Sequence, residues 1–194
     1  MQLAIIKYNA GNIQSVSFAL ERLGVNFRIT DDPDEISKSD KVIFPGVGEA
    51  STTMNYLRER KLDQLIRNLK QPLLGVCLGM QLMCKHSEEN NTDCLGIFDE
   101  TVKAFVPNKD MKVPHMGWNN LLLRNSWLDR QLENKFAYFV HTYYVPVNAF
   151  TSSTTEYIEV FSSAMHKDNF YAVQFHPEKS AETGELVLKS FLIL

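Results

Sequence analysis

The chain opens with a short apolar run at residues 3–6, followed by a polar stretch and then by apolar positions at Ile13, Val16, Leu20 and Leu23. The run reads as a buried strand and the second set as one face of a helix that stops at Gly24. The alternation continues. Residues 27–29, 42–44 and 73–76 are strand-like. Between the last two, Met54, Leu57, Leu62, Leu65, Ile66 and Leu69 form helical stripes with a break near Lys61. Strands alternating with helices predict an α/β fold with a mostly parallel central sheet covered on both faces, a three-layer sandwich. From Ile97 to Phe175 the texture changes to short strand-like pieces, including 136–140 and 170–175, separated by polar turns. Residues 182–194 close the chain as a helix carrying Leu186, Val187, Leu188 and Phe191. No repeat, low-complexity tract or linker divides the chain, so residues 1–194 read as one domain.

Composition narrows the class without naming an activity. The 194 residues are 44% apolar and 22% charged, which suits one core and excludes disordered, collagen-like and coiled-coil chains. With 20 Lys+Arg against 23 Asp+Glu the net charge is -3, which gives no general attraction to nucleic acid or to an anionic membrane surface. The three cysteines, Cys77, Cys84 and Cys94, are an odd number without CxxC spacing, so neither a disulfide framework nor a zinc ribbon is expected. A reduced, cytoplasmic setting follows. The N-terminus lacks the pattern of a signal peptide, and no apolar run approaches the ~18 residues that span a bilayer. In that setting the sequon Asn90-Asn91-Thr92 carries no meaning.

Chemistry enters at Gly75-Val76-Cys77-Leu78-Gly79, which joins the strand-like 73–76 to a helical-looking segment at 78–85. A strand entering a helix through a G-x-nucleophile-x-G turn describes a nucleophile elbow, with glycines where side chains would collide. At a helix N-terminus the sulfur would be favoured as thiolate. Taken alone, the same residues also describe a buried cysteine between two unrelated glycines. A base is offered by Phe175-His176-Pro177-Glu178. In extended backbone His176 and Glu178 project from one face, Pro177 biases His176 toward that conformation, and Glu178 can orient the imidazole. By itself this pair also fits an ordinary surface. Pro45-Gly46-Val47-Gly48 follows the strand-like 42–44, and its glycines allow backbone N–H groups to face a substrate carbonyl; the N–H of Leu78 would be the companion donor. A bland turn remains open for this piece, but a phosphate loop does not, because neither a third glycine at GxGxxG spacing nor a Gly-Lys-Ser/Thr follows.

The set PGVG at 45–48, GVCLGMQL at 75–82, HMGWN at 115–119, FVHTYY at 139–144 and QFHPEKS at 174–180 resembles the class I, or triad-type, glutamine amidotransferases, in order over nearly the whole chain from NAGN at 9–12. Within them it is similar to the glutaminase subunits that serve imidazole glycerol phosphate synthesis, because Val47 and Met80 stand where the anthranilate and aminodeoxychorismate branches, the alternative reading, typically carry Pro and His. The resemblance implies a flavodoxin-like sandwich and a cofactor-free, metal-free glutaminase for histidine biosynthesis. Its partner would be a cyclase subunit of (β/α)8-barrel fold, of the HisF type, in a heterodimer. Cys77, His176 and Glu178 would be the catalytic set, the Val47 and Leu78 N–H groups the oxyanion donors, and Gly46, Gly48, Gln81, Thr142 and Tyr143 the glutamine-binding positions. Asn12, Trp118, Asn119 and Lys179 would face the partner. It further implies that the loop at Val47 switches the oxyanion hole by rotating a peptide. Met83-Cys84-Lys85-His86 and Tyr144-Val145-Pro146 depart from the family pattern. Cys84, seven residues after Cys77 on the expected helix, reads as core, and His86 and Cys94 lack the companions of a zinc site.

Overall fold

The structure is a computed structural model and describes residues 1–8 and 13–194. In chain order its elements are β1 (Leu3–Ile6), α1 (Ile13–Arg22), β2 (Phe27–Thr30), α2 (Pro33–Lys38), β3 (Lys41–Phe44), α3 (Ala50–Glu59), α4 (Leu62–Asn68), β4 (Leu73–Val76), α5 (Leu78–Leu82), β5 (Cys84–Ser87), β6 (Thr92–Asp93), β7 (Phe98–Ala104), β8 (His115–Asn120), β9 (Leu122–Leu123), β10 (Phe136–His141), β11 (Tyr143–Tyr144), β12 (Thr151–Tyr157), β13 (Glu159–Lys167), β14 (Phe170–Val173) and α6 (Ala181–Leu192). Short 3₁₀ turns lie at Glu89–Asn91, Arg130–Leu132 and Pro177–Lys179.

Among the described residues the central sheet has eight strands in the order β2-β1-β3-β4-β14-β13-β12-β9. The first five are parallel, and β13, β12 and β9 continue antiparallel. Strand alternation sorts the core into two layers. Ile6, Val42, Phe44 and Leu73 pack with α2, α3, α4 and α5, while Leu3, Ile5, Ile43, Leu74 and Val76 pack with α1 and α6. Both faces of the parallel strands are therefore buried, as continuous apolar runs require. Two smaller sheets flank this body, the ribbon β8-β10 and the four strands β11-β7-β5-β6.

The break expected near Lys61 is real: Lys61 takes φ 57, ψ 18 and separates α3 from α4. The helix expected over 78–85 is not. It ends at Leu82, and Cys84–Ser87 becomes a strand parallel to β7. Cys, His and Ser are indifferent helix formers, and the Met83 carbonyl is taken by the N–H groups of Ile97 and Phe98, so cross-strand pairing wins. Cys84 is thus buried core, but in a strand.

Candidate active site

Three neighbouring parallel strands, β3, β4 and β14, end side by side, with Phe44 opposite Gly75 and Val173 opposite Val76. The loops leaving their C-terminal ends carry Pro45-Gly46-Val47-Gly48, Cys77 and His176. Ligands in open α/β sheets bind at this edge.

Cys77 takes φ 52, ψ -109, a conformation that side-chain-bearing residues rarely adopt, between β4 and α5. Its N–H donates to Val173 O at 2.8 Å and its carbonyl accepts from Gln81 N–H at 3.2 Å. The glycines are dictated by contact. A Cβ on Gly79 would lie 2.1 Å from the Phe44 carbonyl oxygen, and one on Gly75 would lie 2.5 Å from Met83 Sδ. The elbow is therefore wedged against β3, and Cys77, 7% exposed, lines a cleft.

His176 follows β14 with φ -101, ψ 97, the extended geometry expected before proline. Glu178 does not continue extended: Pro177–Lys179 is a 3₁₀ turn, because Pro177 at its first position fixes a helical φ. The two side chains still meet, with His176 Nδ1 2.8 Å from Glu178 Oε1 and both side chains nearly fully buried. Ser180 locks the turn, its hydroxyl donating to His176 O at 2.6 Å and accepting from Tyr138 N–H at 2.9 Å. Burial pulls the imidazole downward, but the charge and hydrogen-bonding of Cys77, together with Glu178, outweigh it and raise His176 to about 10. The ring is held as imidazolium beside the sulfur.

The loop after β3 is packed onto the elbow. Gly46 is buried, and a Cβ there would meet Gly79 N at 2.5 Å and Tyr8 Oη at 2.9 Å. Tyr8 donates to the Pro45 carbonyl, and burial, followed by the charge of Cys77, pushes its phenol far above the usual range. The Leu78 N–H donates to the Gly46 carbonyl at 3.4 Å. One of the two expected oxyanion donors is thus directed at a protein carbonyl in this conformation.

Val47, Gly48, Cys77, Leu78, Gln81, Thr142 and Tyr143 line one cleft of about 280 Å³, joined by Glu89, Pro114, Val140 and His141. Glu89 belongs to none of the sequence motifs; its Oε2 accepts from Ala50 N–H at 2.8 Å, and burial raises its carboxyl. Gln81 is buried, and its amide donates to Tyr143 O and to Gln174 Oε1, both at 2.9 Å. A larger cleft of about 510 Å³ between Tyr8, Glu49 and Tyr56 adjoins the loop at Gly48 but is lined by neither thiol nor imidazole.

Of the residues expected to face a partner, Trp118 stands 52% exposed on β8, its ring edge-on to Tyr138. Met116 and Phe136 are also exposed on this ribbon, and the Lys179 ammonium lies 6.0 Å over the Tyr138 ring. Asn119 is turned the other way by strand alternation, and its amide donates to Glu156 O at 2.9 Å. Asn12 lies outside the described residues. His86 contacts Asp93 at 3.1 Å, and Cys94 Sγ contacts Thr92 O. Among the described residues no three metal-ligating side chains gather, and no helix is long and apolar enough to cross a membrane.

Solved structures share this architecture. A crystal structure described as a glutamine amidotransferase aligns with TM-score 0.76 at 17% identity, covering 98% of this chain and 97% of that one. A glutamine amidotransferase from Thermotoga maritima aligns with TM-score 0.65 at 16% identity, covering 100% of this chain and 83% of that one. Curated relatives are nearer in sequence. A protein named imidazole glycerol phosphate synthase subunit HisH from Bacteroides thetaiotaomicron is 61% identical over the full length of both chains. Its namesake from Idiomarina loihiensis is 42% identical, covering 100% of this chain and 98% of its own. The family model described as Glutamine amidotransferase class-I matches residues 4–194, the span that contains the elbow, the loop after β3 and the His176 turn. With that match and relatives this similar along their whole length, the chain belongs to the class-I glutamine amidotransferases.

Proposed function

We propose that this chain is the glutaminase subunit of an imidazole glycerol phosphate synthase, a single cytoplasmic domain over residues 1–194 that hydrolyses glutamine and passes the ammonia to a cyclase subunit. The observation that carries the mechanism is the buried imidazole of His176, held by Glu178 at 2.8 Å beside a sulfur on a strained elbow. Glutamine enters the cleft with its α-ammonium toward the Glu89 carboxylate and the rest of its amino-acid group against the main chain at Gly46, Gly48, Thr142 and Tyr143 and against Gln81. The Cys77 thiolate adds to the side-chain amide carbon. His176 gives its proton to the leaving nitrogen, which departs as ammonia and leaves a glutamyl thioester. Neutral His176 then takes a proton from water as that water attacks the thioester. Glutamate leaves, and thiolate and imidazolium are restored.

The oxyanion formed in both steps requires the N–H groups of Leu78 and Val47. With the Gly46 carbonyl accepting from Leu78 N–H at 3.4 Å, the peptide between Gly46 and Val47 must rotate before both donors face the substrate. Each donor is typically worth about 3 kcal/mol of barrier. The isolated chain is therefore expected to be slow. Glutamate release should rise at least about 100-fold when the cyclase subunit and its nucleotide substrate are added, by the magnitude of one recovered donor. Equal rates with and without that partner would sink the reading of this loop as the switch.

The partner itself would be a (β/α)8-barrel cyclase in a heterodimer, docked on the exposed apolar face of β8 and β10. Buried aromatics at the centre of an interface dominate its affinity. Trp118→Ala should weaken partner binding by about 2 kcal/mol, or roughly thirtyfold, on that basis. Titration calorimetry of variant against wild type checks this, and unchanged affinity would remove Trp118 from the interface.

A further inference from the structure

Gln174 is completely buried between β14 and His176, and neither cleft nor triad explains why a polar amide stands there. Its backbone is pinned, with its N–H donating to Ser163 O at 2.9 Å. Its side chain bridges two groups: Nε2 lies 3.6 Å from Cys77 Sγ, and Oε1 accepts from Gln81 Nε2 at 2.9 Å.

Which way that amide points follows from the chemistry of its neighbours. The Tyr143 carbonyl can only accept, and it receives the second N–H of Gln81 at 2.9 Å and the Nδ1–H of His141 at 2.7 Å. His141 Nε2 must then accept, and His115 Nδ1 lies 3.0 Å from it as donor. Burial holds both rings neutral, at about 3 for His141 and about 4 for His115, so neither can supply an extra proton to reverse the chain. Flipping Gln81 would set its oxygen against two carbonyl oxygens. Flipping Gln174 would set its NH₂ against the NH₂ of Gln81. Both orientations are excluded, and the Gln174 N–H is left aimed at sulfur.

We propose that Gln174 is a further catalytic residue, a fixed hydrogen-bond donor that stabilises the Cys77 thiolate, with Gln81 as the positioning residue that orients it. The thiol form gains little from this donor, since neutral sulfur is a weak hydrogen-bond acceptor. The anion gains more, because hydrogen bonds to a charged acceptor are about twice as strong as neutral ones. The donor therefore acts on the charged state of the nucleophile and stays in place while His176 surrenders its proton. This inference rests on Cys77 being the nucleophile.

The test is the rate of Cys77 alkylation by iodoacetamide across pH in the full chain, with the modified residue mapped by mass spectrometry. In Gln174→Met, which keeps the bulk and loses the donor, the midpoint of the alkylation profile should move about one unit to higher pH, so that below the wild-type midpoint thiolate reactivity falls about tenfold, the effect of one lost charge-assisted bond. Glutamine hydrolysis should fall in kcat with little change in KM, since Gln174 does not line the cleft. Gln174→Glu, which still accepts from Gln81 but turns an oxygen toward sulfur, should show a larger fall and provides a second variant if Gln174→Met does not fold. Alkylation profiles that superimpose on wild type in either folded variant would overturn the proposal. A Cys77-alkylated protein that still hydrolyses glutamine would instead overturn the nucleophile assignment beneath it.

Discussion

Cys77→Ala is expected to lower glutamine hydrolysis by at least about 10⁴-fold, as loss of a covalent nucleophile does when its partners act as a unit, and at the same time to move the titration of His176 downward. The two effects share one cause. Burial alone would depress the imidazole, and it stands near 10 because Cys77, first through its charge and then through hydrogen bonding, raises it together with Glu178. Without the sulfur, burial is opposed by Glu178 only. Following the His176 ring proton resonances against pH in wild type and Cys77→Ala measures the shift directly. A His176 titration that stays near 10 in the variant would mean that thiolate and imidazolium are not paired. In wild type His176 remains charged through neutral pH, so under its proposed role as general acid the loss of activity on the alkaline side should follow deprotonation toward pH 10 rather than near the ordinary histidine value of about 6.5.

Much of this arrangement can be read from the chain before any coordinates, and the reasons differ by element. The parallel half is readable because its strands are buried on both faces and appear as uninterrupted apolar runs at 3–6, 42–44 and 73–76. The elbow is readable because close contacts, with the Phe44 backbone at Gly79 and with Met83 at Gly75, place two glycines at set offsets from Cys77. α2 escapes hydrophobic periodicity, since Ile36 is its one buried residue. Its signal is local: Asp32 caps the N–H groups of Asp34 and Glu35, and Pro33 occupies the first turn. β5 is invisible in the sequence because its identity depends on pairing with β7, which no local pattern encodes. Glu89 and Gln174 escape for the same reason at the level of the site. Glu89 reaches the cleft through a bond to Ala50, 39 residues away, and Gln174 gains its meaning from a sulfur 97 residues away. Asn119 is half-buried on the side of β8 away from Trp118, and its amide bond to Glu156 O depends on a strand 37 residues away that HMGWN does not encode.

Gly79→Ala tests whether the elbow and the loop after β3 form one rigid body. The added Cβ would sit 2.1 Å from the Phe44 carbonyl oxygen, a backbone atom paired in the central sheet and unable to yield like a side chain. Either α5 or β3 must shift. Overpacking of this kind costs about 1–3 kcal/mol. The functional effect should be larger than that cost implies, because a displacement near 1 Å separates the sulfur from the proposed oxyanion donor at Val47, and misplacement on that scale costs on the order of 10²-fold in rate. Gly24→Ala is the matched control. Gly24 has φ +69 with nothing within 4 Å of a new Cβ, so it carries backbone strain of about 1 kcal/mol or more without touching the site. Thermal unfolding and kcat measured on both variants separate the contributions. Loss of stability in both, with activity lost only in Gly79→Ala, is the expected result. A stable and fully active Gly79→Ala protein would show that the elbow can part from β3, and with it that the wedge between Gly79 and Phe44 does not hold Cys77 in place.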